Sequence, residues 1–202
     1  MPRGGVQRIP RIMSILGILF AVLSGSVARA SDMDVSMGLQ DFGKGTYHLV
    51  GHVTVDACAE TAWSVLTAYS DISSFISSMR KSNVKEYNGD RIVLEQEAAG
   101  KVLFFSRRVH VTLMVTEKPM TEIRFEDVEH RDFRYYYGSW EIAQAEKGLE
   151  IVYRLECQRN FAAPNFLAKG ALKKSAEGLL AEVRAEILRR QGESHEDHCH
   201  PS

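Results

Sequence analysis

From Tyr47 to Asp56 apolar and polar residues alternate. Tyr47, Leu49, Gly51, Val53 and Val55 share one face, and His48, His52, Thr54 and Asp56 mark the other. That period of two predicts a half-buried strand. The period then changes. Ala59, Ala62, Trp63 and Leu66 recur at helical spacing, with Asp56 placed to accept a backbone N–H at the helix start. Ser70 or Asp71 opens a second short helix, whose Ile72, Phe75, Ile76 and Met79 follow an i, i+3, i+4, i+7 stripe. From Asn83 the period of two returns and predicts strands over 84–87, 91–97, 102–117, 122–128, 133–143 and 149–159. The first two of these are joined through Asn88-Gly89-Asp90, a hairpin signal.

The chain closes on a long amphipathic helix. Pro164 suits a first turn, where its missing N–H costs nothing. Leu172, Ala176, Leu179, Leu180, Val183 and Ile187 form one apolar stripe, and Gly192 marks a stop. Gly170 and Gly178 lie inside this helix at a cost of about 1 kcal/mol each relative to Ala. They suit either a close approach of the backbone to a sheet or ligand, or a bend. Segregated helices and strands predict an α+β class: a curved antiparallel sheet of seven strands around the long C-terminal helix, with two short helices after the first strand. One helix covers only part of a concave sheet, which leaves a hollow.

Residues 1–30 stand apart from this pattern. Arg3, Arg8 and Arg11 precede an apolar run from Ile12 to Leu23, and Ala28-Arg29-Ala30 offers small residues for a signal peptidase. The run is short for a bilayer span of about 20 residues. The reading is therefore a signal peptide cleaved after Ala30, against an uncleaved N-terminal anchor as the alternative. The protein is then periplasmic or secreted. Residues 31–46 are a polar, glycine-containing lead-in with room for a short edge strand. Residues 47–192 form the domain, and 193–202 a disordered tail.

Of 202 residues, 25 are basic and 26 acidic. Loss of residues 1–30 removes four arginines and leaves 21 basic against 26 acidic residues, a net −5. That balance offers no electrostatic case for nucleic acid or an anionic membrane as partner. The three cysteines are Cys58, Cys157 and Cys199. Cys58 and Cys157 fall at opposite ends of antiparallel strands and are expected to be unpaired.

Four stretches carry a family resemblance: Val53 to Trp63 at the strand-to-helix junction, Tyr69 to Ile76 in the second helix, Phe133 to Trp140 with its glycine-x-tryptophan, and Pro164 to Leu167 leading into the last helix. From about Tyr47 to Arg190 the chain resembles the START-like, or helix-grip (SRPBCC), superfamily, in the branch of polyketide cyclase/dehydrase and coenzyme Q-binding proteins. Cys58 and Ser77 depart from it, where prolines are common. The resemblance implies binding of a lipid-, quinone- or polyketide-like molecule between sheet and helix, without a cofactor. An aromatase/cyclase-type enzyme, or a cell-envelope interaction protein with a filled core, is the alternative.

The cavity expected in this architecture is lined by Phe75, Met79, Phe104 or Phe105, Arg107, Phe125, Tyr135, Tyr137, Trp140, Tyr153, Leu155, Leu172 and Leu179. Aromatic bodies with polar tips suit a ligand with an apolar skeleton and a few oxygens. Tyr135 and Tyr137 share a parity, and Trp140 joins them only if a bulge falls near Gly138. Arg107 shares the apolar parity of Val109, Val111 and Leu113, where it would need a ligand carboxylate or a buried Glu95 or Glu97. His110 reads as a satisfied surface histidine. No paired carboxylates, nucleophile with a spaced His and Asp, or phosphate loop is visible. A segment over 70–81 is the expected gate. In the tail, His195, His198, Cys199 and His200 are donors that suit zinc, copper or nickel, but adjacent ligands cannot readily share one tetrahedral ion, and the tail is read as a polar terminus without a metal.

Overall fold

The computed structural model describes residues 34–89, 91–102 and 105–193, apart from the side chains of residues 100–102 and 105–107. Strands β1 (Val35–Gly43) and β2 (Thr46–Val55) are followed by helices α1 (Ala59–Leu66) and α2 (Ile72–Phe75). Strands β3 (Met79–Asn88), β4 (Arg91–Val102), β5 (Phe105–Lys118), β6 (Glu122–Asp127), β7 (Phe133–Gln144) and β8 (Leu149–Arg159) come next, and then α3 (Asn165–Glu193). All of these elements belong to the compact unit Ser31–Ser202. That unit holds one continuous core of its own, which is the condition for folding alone.

The sheet is antiparallel, in the order β1-β2-β8-β7-β6-β5-β4-β3. Consecutive strands pair by hairpins except at one step. There α1 and α2 carry the chain from β2 to β3, at the opposite edge. It has eight described strands rather than the seven expected. The additional one is β1, in the segment read as a lead-in, which pairs with β2 from Val35↔Val53 to Gly43↔Thr46. Glycines blur its sequence signal, and the neighbouring ladder supplies the hydrogen bonds.

Several boundaries differ from the sequence pattern. The α1 N-cap is Cys58, with no side-chain cap, and not Asp56. Helix α2 is only four residues long, because Ile76 turns extended and Met79 already opens β3. The expected four-residue stripe is thus split between a helical turn, a bend and a strand. Ala98, Ala99 and Gly100 continue β4 opposite Val109, Arg108 and Arg107. Cys157 is free and buried, as expected; Cys58 is disulfide-bonded and not unpaired as expected, so the two are not joined to each other.

The apolar stripe of α3 behaves as its spacing predicts: Ala176, Leu180, Val183 and Ile187 are buried against the sheet. The close approach occurs at Gly51 on β2, where a Cβ would overlap Leu180 Cδ1 and come within 2.6 Å of Met37 Cε. Gly170 and Gly178 face open space instead, so neither is needed for an approach to the sheet. Helix α3 comes closest to β1 and β2 at one end of the sheet and to β4 at the other. It therefore bridges the middle strands, β5 to β8.

Polar ties hold the far end of α3. Gln191 accepts from Cys58 N at 3.0 Å, Glu182 from Ser77 N at 3.0 Å, and Arg190 donates to the Ser64 carbonyl at 3.3 Å. Glu186, 8 % exposed, accepts from Arg189 at 2.7 Å and from Arg190 at 2.7 Å. The Arg189 hydrogen bond leads in pulling its carboxyl down to about 2.

Two measurements test this arrangement. Gly51→Ala should destabilise the unit Ser31–Ser202 by about 1–3 kcal/mol, because Leu180 and Met37 must shift in a packed core. Gly170→Ala and Gly178→Ala should each stabilise it by about 0.5–1 kcal/mol. Urea midpoints distinguish the two classes. Glu186→Gln should cost about 1–2 kcal/mol at neutral pH, less than the full shift implies because Arg189 is half exposed. A lowered folded pKa stabilises the fold above the unfolded value and is lost as pH falls through the folded one. The gap between wild type and variant should therefore narrow between pH 4.5 and about 2.

Candidate functional site

Under the bridge of α3, the inner face of the middle strands is aromatic. Phe125 on β6 stands opposite Gly138 on β7, and Trp140 pairs with Tyr153 on β8. The Trp140 and Tyr153 rings are 4.5 Å apart, Phe125 and Tyr153 6.2 Å, Phe125 and Tyr136 5.9 Å, and Phe133 and Tyr136 4.9 Å. Gly138 makes this cluster possible. A Cβ there would overlap the Arg154 carbonyl and lie 2.6 Å from Phe125 Cζ, so the missing side chain leaves the space that the Phe125 ring occupies.

A register shift between Phe133 and Tyr135 sets which residues of β7 point inward. After it, Tyr136, Gly138, Trp140 and Ile142 stand opposite the buried Cys157, Leu155, Tyr153 and Ile151. This corrects the sequence reading. Tyr135 and Tyr137 do not enter the hollow. Tyr137 is 40 % exposed and donates to Glu156 at 2.5 Å on the outer face, with the Tyr135 ring 5.8 Å away. Tyr136, on the parity opposite to the one expected, takes their place. Trp140 does face inward, through a bulge upstream of the expected one.

Tyr136 and Tyr153 share a hydrogen bond, and burial pushes the Tyr136 hydroxyl up to about 12 and that of Tyr153 well above its ordinary value. Burial also raises the Cys157 thiol, to about 12. At neutral pH the described interior therefore presents neutral hydroxyls, which act as hydrogen-bond donors and acceptors and not as charges. Asp127 is fully buried at the end of β6. Its Oδ1 accepts from Thr112 N at 3.0 Å and Glu129 N at 3.3 Å. Asp132 likewise accepts from His110 N at 2.8 Å. Asp132 and the Oδ1 of Asp127 thus extend the β5 ladder where β6 ends, while Asp127 Oδ2 is buried without a hydrogen-bond partner among the described residues.

The other expected lining residues divide as follows. Phe125, Tyr153 and Leu155 are buried in the core. Trp140, Met79, Phe75, Leu172 and Leu179 are half-buried and pack against it, as do Val109, Val111 and Tyr136. The side chains of Phe105 and Arg107 lie outside the described residues, as does Phe104. On the neighbouring parity Arg108 is exposed and lies 3.5 Å from Glu97. Glu95 and Glu97 are not buried inner-face partners: Glu95 meets Lys81 and Lys85 at 3.2 and 3.3 Å, and Glu97 also meets His110 at 3.3 Å. His110 is satisfied, as expected. His195, His198, Cys199 and His200 lie outside the described residues. Among the described residues no cluster of His, Cys, Asp or Glu is arranged to hold a metal, and no helix is long and apolar enough to cross a membrane.

A depression of about 630 Å³ opens on the opposite, outer face, over β5 to β8. Register places an acidic row there (Glu156 and Glu126, flanking Tyr137), then a basic row (Arg154 and Arg124), then a second acidic row (Glu141 and Glu122). Arg124 meets Glu122 at 2.6 Å and Arg154 meets Glu141 at 3.1 Å. These groups satisfy one another in solvent, where such pairs contribute little, and offer few apolar walls. The inner aromatic face is the better ligand site on chemistry.

Solved structures with this fold include the Zhui aromatase/cyclase from a Streptomyces species, with 17% identity and a TM-score of 0.62, over 72% of this chain and 95% of that one. A STAR-related lipid transfer protein from Xanthomonas axonopodis has 14% identity and a TM-score of 0.66, over 78% and 96%. Human STARD10 has 14% identity and a TM-score of 0.64, over 82% and 74%. At these identities the likeness is one of fold, the curved START-like sheet around a long C-terminal helix. No curated protein is similar enough in sequence to match the chain. Residues 55–184, which span the junction into α1, the sheet from β3 to β8 and most of α3, match the polyketide cyclase / dehydrase and lipid transport family, and the chain belongs to that family.

Proposed function

We propose that this protein is an exported carrier that holds a hydrophobic or amphipathic small molecule between α3 and the inner face of β5 to β8. The observation that carries this reading is the bridging helix: α3 touches the sheet at both flanks and spans an aromatic floor of Phe125, Tyr136, Trp140 and Tyr153. Burial of apolar ligand surface there contributes about 25 cal/mol per Å², offset by the cost of immobilising the ligand. The paired hydroxyls of Tyr136 and Tyr153 suit one or two ligand oxygens. Similar folds named for lipid transfer and for aromatase/cyclase activity agree with an apolar, oxygen-bearing ligand of lipid, quinone or polyketide type.

The cyclase reading loses support from the outward position of Tyr135 and Tyr137, which were its candidate polar groups. Neutral hydroxyls in an aromatic setting favour binding over proton abstraction at neutral pH. The segment from α2 to Met79 is the gate in this reading. Its ties to α3 are the Ser77–Glu182 hydrogen bond and the Arg190 guanidinium 5.6 Å above the Phe75 ring.

Native mass spectrometry of the protein from its own cell envelope, followed by solvent extraction, tests the whole reading. The expected result is a polypeptide beginning at Ser31 with a co-purified lipid-like mass. An empty protein that also binds no lipid or quinone would move the reading to a filled-core interaction protein. In the loaded protein, Trp140→Ala should weaken ligand retention by tenfold or more, about the loss from removing one large apolar contact. Amide exchange over Ile72 to Met79 should be faster than in β7 and β8. Equal protection would remove the gate.

A further inference from the structure

The net acidity of the chain conceals a local reversal. From Cys157 to Ala176 there are four basic residues, Arg159, Lys169, Lys173 and Lys174, and no acid. This stretch ends β8, turns through Phe161-Ala162-Ala163-Pro164 and opens α3. It is clamped to the tip of the β1–β2 hairpin. Asn165 Nδ2 donates to Asp41 at 2.7 Å, the Tyr47 hydroxyl donates to Asn165 Oδ1 at 2.5 Å, and Arg159 N donates to the Gly45 carbonyl at 3.0 Å.

Asp41 and Asn165 are each followed in sequence by a phenylalanine, Phe42 and Phe166. They are 60 % and 75 % exposed, so two large apolar side chains stand in solvent at one end of the molecule. Phe42 lies against the His48 ring at 4.3 Å and remains open on its other side. Lys44 in the same hairpin turn and Lys169, Lys173 and Lys174 in the first turns of α3 are all exposed. Lys173 reaches Glu177 at 3.5 Å. The other three have no carboxylate partner among the described residues. Phe166, Lys169 and Lys173 follow one another on a single face of α3.

We propose that this end, with exposed Phe42 and Phe166 and with exposed lysines in both the hairpin and the first turns of α3, is a docking surface for an anionic lipid bilayer. Exposed aromatic rings enter the headgroup boundary, and each lysine near the surface gains from the negative potential of the leaflet. The charge of the patch selects this occupant. A second copy of the chain would bring the same positive surface against it, and the outer face of the sheet, with its carboxylate rows, has no comparable apolar tip. The patch reverses the expectation drawn from net charge, because a bilayer meets one end of a molecule and not its average. It requires no ligand in the hollow, although it would place the start of α3 at the membrane.

Flotation of the unit Ser31–Ser202 with vesicles of equimolar phosphatidylglycerol and phosphatidylcholine tests it. The protein should float with these vesicles, fail to float with phosphatidylcholine alone, and be released by salt. The double variant Lys169→Glu, Lys173→Glu should lower partitioning by about tenfold or more, and Phe166→Ser should lower it as well. Lys147→Glu, an equal change of charge in the β7–β8 turn, should leave it unaltered. Circular dichroism and the melting temperature should match wild type for each variant, since every substituted side chain is exposed. Absence of binding to anionic vesicles overturns the proposal. So does an equal loss from Lys147→Glu, or full retention by the Phe166 variant. Vesicle binding is read on protein without a cavity ligand, so an empty hollow and a failed docking surface remain separate outcomes.

Discussion

Leu180 against the bare backbone of Gly51 sets how near α3 comes to the sheet. With the helix seated there, the rest of its stripe falls into place, with Ala176, Val183 and Ile187 buried along one line. The sheet must then curl for β4 to reach the same helix from the other side. Curling and bridging are one constraint. A flat sheet would leave β4 far from α3, and a helix centred over the middle strands would fill the space between them. Because α3 is anchored at the flanks, the middle strands carry their aromatic residues beneath it.

The aromatic inner face of the middle strands depends on a second local event. One extra residue between Phe133 and Tyr135 reverses the facing of β7, since side chains alternate strictly along a strand. Phe133 and Tyr136 both reach the interior, and Tyr135 and Tyr137 stand outside. Gly138 then lies beneath Phe125, and Trp140 against Tyr153. The chemistry of the interior follows from that shift. It holds hydroxyls kept neutral by burial, while the tyrosine bonded to Glu156 belongs to the charged outer surface.

Charge is distributed by the same geometry. The outer face carries alternating carboxylate and guanidinium rows that answer one another across the strands. The end at the β1–β2 hairpin and the start of α3 carries Lys44, Lys169 and Lys174, which have no carboxylate partner among the described residues. A chain of nearly balanced charge thereby acquires one self-satisfied face and one basic, apolar tip. The hydrogen bonds of Asn165 to Asp41 and Tyr47 join the two sequence segments that build this tip.

Much of the fold was legible in periodicity. The alternation in Tyr47 to Val55 and the stripe from Leu172 to Ile187 report burial through side chains alone, and both hold. The motifs around Trp63 and Gly138-Ser-Trp140 were enough to mark the family. What sequence could not convey was anything that depends on a partner strand or a distant neighbour. β1 is a strand because β2 offers a ladder, Ile76 leaves the helical turn on the way into β3, and Gly51 matters because Leu180 lies above it. The inward choice of Tyr136 over Tyr135 and Tyr137 was likewise decided by tertiary structure. Parity can be counted along a strand from sequence, but a bulge that resets the count is stabilised by contacts across the sheet.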